Sequence, residues 1–515
     1  MTQHQLPQKK LAKSMLSSMT WRFFSLYSQA FLNLFVLAIL SRLLSPEDFG
    51  VMGVAAIFVG LAELLSELGV GPAIIQHREI NSKHLRVGFT IAILLGIVMV
   101  IILWAIAPFI ALFFRNENVT SVLYGVSFSF FLGGFGVVSQ ALLRRKLQFQ
   151  KLMWIDVGSY TFGYALVGLG MAWSGYGVWA LVGATLSQSL LKSILLLIAE
   201  PHPLTPSFAR QEFRDLIHFG GGITLARLFN YGAGQGDYFV VGRALGIEPL
   251  GIYTRAYRLM NLPANYLGRV LDTVLFPVMA KIQHELPRLT KSYLTGIAMI
   301  GIVCTPVGII MVIMAPEIVN IILGSQWSEA IVPFQILALG VLPRVSYKID
   351  NSLAKAMGAV YQRSARDAIY AVAVVLGAIV GLNWGLSGVA FGVLGAVILN
   401  NFMALKMSLR LLGCSPMEYV KAQLPGVLMA LLTAVIAVPM RVLLHTYTSP
   451  DWFTLIITML VSGLILFGLF LWQPQKLLGA YGTNALVMVI QSVPTRFFPK
   501  VVMQWFNTRI IEGAV

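Results

Sequence analysis

The chain is written as long apolar runs separated by short polar connections, and the runs lack the strict alternation of a barrel strand. About fourteen of them approach the ~20 mostly apolar residues that a spanning helix needs. They are centred near residues 31, 60, 100, 131, 163, 188, 228, 262, 305, 342, 375, 398, 435 and 463. Backbone polar groups find no water in lipid, so runs of this kind close their hydrogen bonds as helices. The pattern predicts an all-α integral membrane protein with about 14 transmembrane helices. The run from Trp21 to Ser41 is long for a signal-peptide core and has no small-residue cleavage site behind it, so it is read as helix one.

One polar turn is written twice. "SRLLSPEDFG" at 41–50 and "GRALGIEPLG" at 242–251 carry Arg, Leu, Glu and Gly at the same places, 201 residues apart. Further on, "SQALLRRKLQFQ" at 139–150 lies over "DNSLAKAMGAVY" at 350–361, and "SGYGVWA" at 174–180 over "GLSGVAF" at 385–391, both offset by 211. Matches in the same order imply a repeat of six helices. An even number makes both copies enter the membrane the same way round, so the repeat is parallel, with its axis along the membrane normal. The expected organisation is a cytoplasmic segment 1–20, a first lobe of helices one to six at 21–200, and a cytoplasmic linker 201–215. A second lobe of helices seven to twelve follows at 216–410. Helices thirteen and fourteen at 424–473 have no copy, and 474–515 reads as an amphipathic tail on the inner leaflet.

Composition agrees: 57% of residues are hydrophobic and 11% charged, far from the balance of a soluble domain. Charge adds orientation. Placing the N-terminus, the even-numbered connections and the C-terminus on one side collects 26 of the 37 Lys and Arg there, against four (Arg42, Arg115, Arg243, Arg441) on the other. Both termini are therefore expected in the cytoplasm. This bias and attraction to anionic lipid account for the net charge of +16, without a nucleic-acid partner.

The run "LSRLLSPEDFGVMGVAAIFVGLAELLSELGVGPAIIQHREI" (40–80), with "RRKLQFQKL" (144–152), "LFPVMAKIQ" (275–283) and "GSQW" (324–327), resembles the polysaccharide transporter family, close to Wzx-type flippases of the colanic acid kind. The resemblance covers most of the first twelve helices and fades after about residue 420. It implies membership in the multidrug/oligosaccharidyl-lipid/polysaccharide exporter superfamily, with two six-helix lobes and alternating access. It also implies export of undecaprenyl-diphosphate-linked oligosaccharide across a bacterial inner membrane, with a polysaccharide polymerase and chain-length machinery as pathway partners.

Six cations fall inside predicted spans, all in the second lobe: Arg227, Arg255, Arg258, Arg269, Arg344 and Lys348. A charge there is costly unless it meets water or a partner. Arg255, Arg258, Asn265, Arg269 and Asp272 recur on one face of helix eight, and Arg344 and Lys348 stand four apart on helix ten. Such groups suit an anionic diphosphate, because Arg offers two parallel donors to phosphate oxygens. The other reading is structural: Arg269 pairs with Asp272, Lys348 with Asp350, and Asp237 neutralises another cation, while Asn230 and Tyr231 add hydrogen bonds near Arg227. In the first lobe Glu63, Glu67 and Asp156 serve either ion coupling or salt bridges to second-lobe arginines. Tyr253, Tyr257, Tyr266, Tyr347, Phe24 and Trp21 offer faces for sugar rings or for packing.

The chain contains no GxxxxGK[ST] loop and no HExxH pair, its seven histidines are scattered, and its external connections are short. It reads as a transporter and not an enzyme, without cofactor or metal. Two alternatives share its setting: a multidrug exporter of the same superfamily, and a membrane-embedded polysaccharide polymerase or glycosyltransferase. The cationic second lobe argues against a cationic drug as cargo.

Overall fold

The computed structural model describes residues 29–66, 70–77, 80–214, 231, 234–447 and 449–492. Every element among them is helical, and each predicted run that falls on described residues forms helix. Among the described residues six helices are long and apolar enough to span a membrane, and eight when each of two bent pairs is taken as one span. The expected count of fourteen spans is therefore not established among the described residues. Pro46–Ser66 and Ile247–Lys281 are long but carry charge, and Gln29–Leu43 is short. Ser82–Phe114 shows how the sequence sets an end: the Asn81 side chain accepts from the His84 amide at 3.0 Å, and Arg115 closes the helix in the left-handed region at φ 55°. Its 33 residues span ~50 Å at ~1.5 Å each, enough to cross a ~30 Å hydrocarbon core and project beyond it.

The chain gathers into two compact units, Met1–Ile252 with Ile322–Gln326, and Tyr253–Ile321 with Trp327–Val515. In the first unit the two written turns meet. A Cβ added at Gly50 would overlap the carbonyl oxygen of Ile247, and one added at Gly251 would overlap that of Pro46. Pro46 and Ile247, like Gly50 and Gly251, are 201 residues apart, so the contact is reciprocal, as a two-fold relation between the turns requires. Glycine is needed on both sides because the backbones approach too closely for any side chain. The neighbouring turns join this cluster. The Gln326 amide donates to the carbonyls of Ser41 and Leu44, Asn116 donates to Glu47 at 3.3 Å, and the Arg243 guanidinium lies 5.3 Å from the centre of the Phe113 ring.

Among the described residues two helix pairs are sharply bent. Asn118–Gly134 and Val137–Arg145 meet at 47°, and the stretch Ser325–Ala338 meets Val341–Ala356 at 44°. The backbone device is the same. The Gly136 amide bonds the carbonyl of Gly133 at 3.0 Å and the Gly340 amide that of Leu337 at 2.9 Å, a tightened three-residue turn in place of the four-residue ladder. Gly136 and Gly340 lie 204 residues apart, between the two offsets of the repeat. The fifth run is irregular in another way, passing through a π-helix at Ser159–Leu166.

In the second unit, Leu286–Ile313 packs on Pro416–Thr446 through Gly301 and Gly426, with Thr305 Oγ1 donating to the Gly426 carbonyl at 2.6 Å. Near the far end of this pairing Glu317, fully buried, accepts from Arg441 at 2.6 Å and bonds His445 at 2.7 Å. Asn320 donates to Asp451 at 2.9 Å. These bonds fasten helices thirteen and fourteen to the unit. Pro474–Ser492, the first part of the expected tail, packs on Leu286–Ile313 and Pro416–Thr446 and buries Leu477 and Leu478. The stretch 496–506 lies outside the described residues.

Candidate functional site

Val341–Ala356 begins at the second break, and Arg344 stands on its first turn. The side chain is buried, with 8% of the residue exposed. Nη1 donates to the Tyr257 hydroxyl at 2.8 Å, and the guanidinium carbon lies 4.9 Å from the centre of that ring. Tyr253, wholly buried, is 6.0 Å from Tyr257, and Tyr370 is close enough to interact electrostatically with the cation. Nε and Nη2 of Arg344 have no hydrogen-bond partner, and no carboxylate pairs with the group among the described residues. Both atoms are buried, and a buried donor without an acceptor is costly.

One turn on, Lys348 Nζ donates to the Ala264 carbonyl at 3.0 Å. The expected pairing of Lys348 with Asp350 is not made. Residues two apart on a helix project to different faces, and Asp350 is fully buried against other partners, accepting from Tyr293 at 2.8 Å and Ser408 at 2.6 Å. Of the predicted stripe on Ile247–Lys281, Arg258 and Asn265 are exposed and Arg255 is half-buried. The side chains of Arg269, Asp272 and Tyr266, and the residues Arg227, Asn230, Glu67, Phe24 and Trp21, lie outside the described residues. The structure also buries a cation that the sequence placed on the inner side: Arg366, 4% exposed, is held by Asn351 and by Asp367 at 2.8 Å. Its own acid follows it in the chain, the one signal that marks it as structural.

The acidic residues of the first unit separate into two settings. Asp156, for which ion coupling and a salt bridge to a second-lobe arginine are the two readings of the sequence, pairs with Lys192 at 2.9 Å, inside its own unit. Asp237 is buried, with its carboxylate accepting from the Tyr238 amide at 3.1 Å. Glu63 is exposed and lines a cavity of about 380 Å³ with Ser129, Gln140, Arg144, Ser189 and Lys192. The first helix break forms one wall, through Gly133, Gly134 and Gly136. This cavity was not legible from the pattern of residues: its groups come from separate helices, and Arg144 reads there as a connection cation.

Comparison with known proteins places the fold. The family profile described as "Polysaccharide biosynthesis protein" matches residues 39–332, more than half of the chain. The teichuronic acid biosynthesis protein TuaB of Bacillus subtilis (strain 168) is 24% identical over 355 residues, covering 68% of this chain and 72% of the relative. The lipopolysaccharide biosynthesis protein WzxC of Escherichia coli (strain K12) is 24% identical over 405 residues, covering 76% and 80%. Among solved structures, the lipid II flippase MurJ in an inward closed conformation superposes with a TM-score of 0.70 at 15% identity, over 88% of this chain and 98% of that one. An inward-facing multidrug resistance MATE family transporter of the MOP superfamily gives 0.60 at 18% identity, over 77% and 95%. At such identities the likeness establishes the fold alone, an all-helical architecture shared with these two proteins.

Proposed function

Because the chain belongs to the polysaccharide biosynthesis protein family, we propose that it is a flippase for undecaprenyl-diphosphate-linked oligosaccharide repeat units, moving them across the bacterial inner membrane by alternating access. The observation that carries this reading is Arg344: a buried cation with two open donors and a tyrosine beside it, but no acid. Keeping an unpaired charge inside a membrane protein is costly, and such residues mark substrate pathways. The diphosphate supplies the missing acceptors. Arg227, Arg255, Arg258, Arg269 and Lys348, with Asn230 and Asn265, complete the cationic side of the site in this reading.

The relatives named for teichuronic acid and lipopolysaccharide biosynthesis support a saccharide cargo, and the MurJ likeness supports a lipid-linked one. A cationic drug would meet like charge at Arg344, which disfavours multidrug export. Transport in this reading needs no catalytic group. The close contact of the written turns serves as one gate, the two halves are parallel copies, and both termini face the cytoplasm.

The test is genetic and chemical. Deleting the gene should cause lipid-linked sugars of repeat-unit size to accumulate in extracted membranes, and the intact gene should clear them. If the extracts of deletion and parent strains carry the same lipid-linked sugars while surface polysaccharide is normal, the flippase reading is wrong.

A further inference from the structure

We propose that the cavity of the first unit is a second binding site, one that takes the glycan of the cargo; this rests on the flippase reading. Its place in the fold, its lining and its size assign it. It lies where a membrane helix breaks, and irregular backbone at membrane depth is tolerated where it lines a polar cavity; broken helices also form the substrate sites of other transporters. The break leaves the Leu132 carbonyl without its usual partner, since the Gly136 amide turns to Gly133, and Ser193 Oγ takes that carbonyl at 2.7 Å. The wall is thereby fixed, with its own polar group satisfied.

The lining chemistry selects the ligand. Lys192 is already held by Asp156 at 2.9 Å, so Arg144 and Glu63 leave the cavity without a formal excess of either sign. A diphosphate would call for surplus cations, and a lipophilic drug for an apolar lining. Ser129, Ser189 and Gln140 each donate and accept, which matches the paired hydroxyls of a neutral sugar. A volume of about 380 Å³ is at the small end of the ~300–1,000 Å³ usual for ligand pockets. At Gly133 the wall is open, since an added Cβ would meet no atom within 4 Å, so a ligand can approach the backbone there.

Gly133 supplies a clean perturbation, because a Cβ there would meet no atom within 4 Å. Gly133→Leu should fill the cavity without disturbing the packing around it. The full chain in nanodiscs is titrated with two probes: the glycan released by mild acid from the host's lipid-linked repeat units, and undecaprenyl diphosphate bearing no sugar. Wild type should bind both. Gly133→Leu and Gln140→Ala should each weaken glycan binding at least ~10-fold and leave the sugar-free carrier unaffected, whereas Arg344→Ala should show the opposite pattern. Glycan binding by Gly133→Leu at wild-type strength, or carrier binding without any glycan binding by wild type, overturns the glycan site. If wild type binds neither probe, the flippase reading falls and the glycan site with it.

Discussion

Replacing Arg344 by methionine should separate function from stability. The side chain makes one hydrogen bond, to the Tyr257 hydroxyl at 2.8 Å, and one ring contact at 4.9 Å. Losing the first costs ~1.5–3 kcal/mol, as for a bond to a charged group, and losing the second ~0.5–2 kcal/mol. Against this, a buried cation without an acid carries a desolvation penalty of several kcal/mol, which an apolar side chain of similar length removes. The terms nearly cancel, so the Met variant should melt within a few degrees of wild type or above it. Binding has no such cancellation. Two donors, Nε and Nη2, are open, and two charge-assisted bonds at ~1.5–3 kcal/mol each amount to roughly two to four decades in affinity for a diphosphate.

The assay is a paired one: thermal melting of the purified protein, and titration with undecaprenyl diphosphate in nanodiscs. Arg344→Lys should recover part of the binding, since charge returns without the planar fork. If the Met variant is destabilised by more than ~3 kcal/mol while binding per folded molecule is unchanged, Arg344 is a packing residue and the anion site is misassigned.

Gly251→Leu should abolish the backbone contact with Pro46, and a cysteine placed at Ser45 should then react faster with a membrane-impermeant thiol reagent; unchanged labelling would show that the turns do not form a gate. Glu317→Ala should lower stability by ~2–3 kcal/mol, below the ~3–5 kcal/mol of a fully buried pair because Arg441 is partly exposed, and a melt at the wild-type temperature would contradict this. His202, in the inter-lobe linker and 5.7 Å from the Phe89 ring, has its pKa lowered from 6.5 by burial. The folded protein therefore binds this proton less readily than the unfolded chain. Docking of the linker should weaken as pH falls below 6.5, seen as faster hydrogen exchange over 200–214, and His202→Phe should flatten that dependence. A reporter fused after residue 515 should be cytoplasmic and one inserted near Gly175 external; the same side for both would refute the topology.

The helices were legible because lipid imposes a length on apolar runs, and that signal survives in single runs without help from their neighbours. Arg344 was legible for the same reason, as a charge where charge is expensive. The partner of Asp350 was not. Lys348 is two residues away in sequence, but helical geometry turns it aside, and Tyr293 and Ser408 come from helices far along the chain. The breaks were equally hidden, because a glycine within an apolar run also signals close helix packing, as Gly301 and Gly426 show. The cavity at Glu63 needed the fold itself. Arg144 and Lys192 enter it from the ends of two helices whose approach no spacing rule encodes.

The two breaks share a backbone device and differ in side chains, and this difference carries the functional argument further than either site alone. At Gly136 and Gly340 the amide turns back three residues, and each glycine is crowded by a leucine of the last helix of its half, Leu196 at 2.8 Å and Leu394 at 3.2 Å from an added Cβ. A tightened turn of this kind requires glycine where a second helix presses on it, so the device is constrained by packing. The surrounding side chains are free of that constraint. The first break is lined by serines, Gln140 and a balanced pair of charges, while the second is followed by Arg344 among tyrosines. A cargo with one kind of chemistry would leave both copies alike. On the proposed flippase reading, the hydroxyl-rich glycan of a lipid-linked oligosaccharide would use the neutral polar cavity and its anionic diphosphate the cationic aromatic pocket.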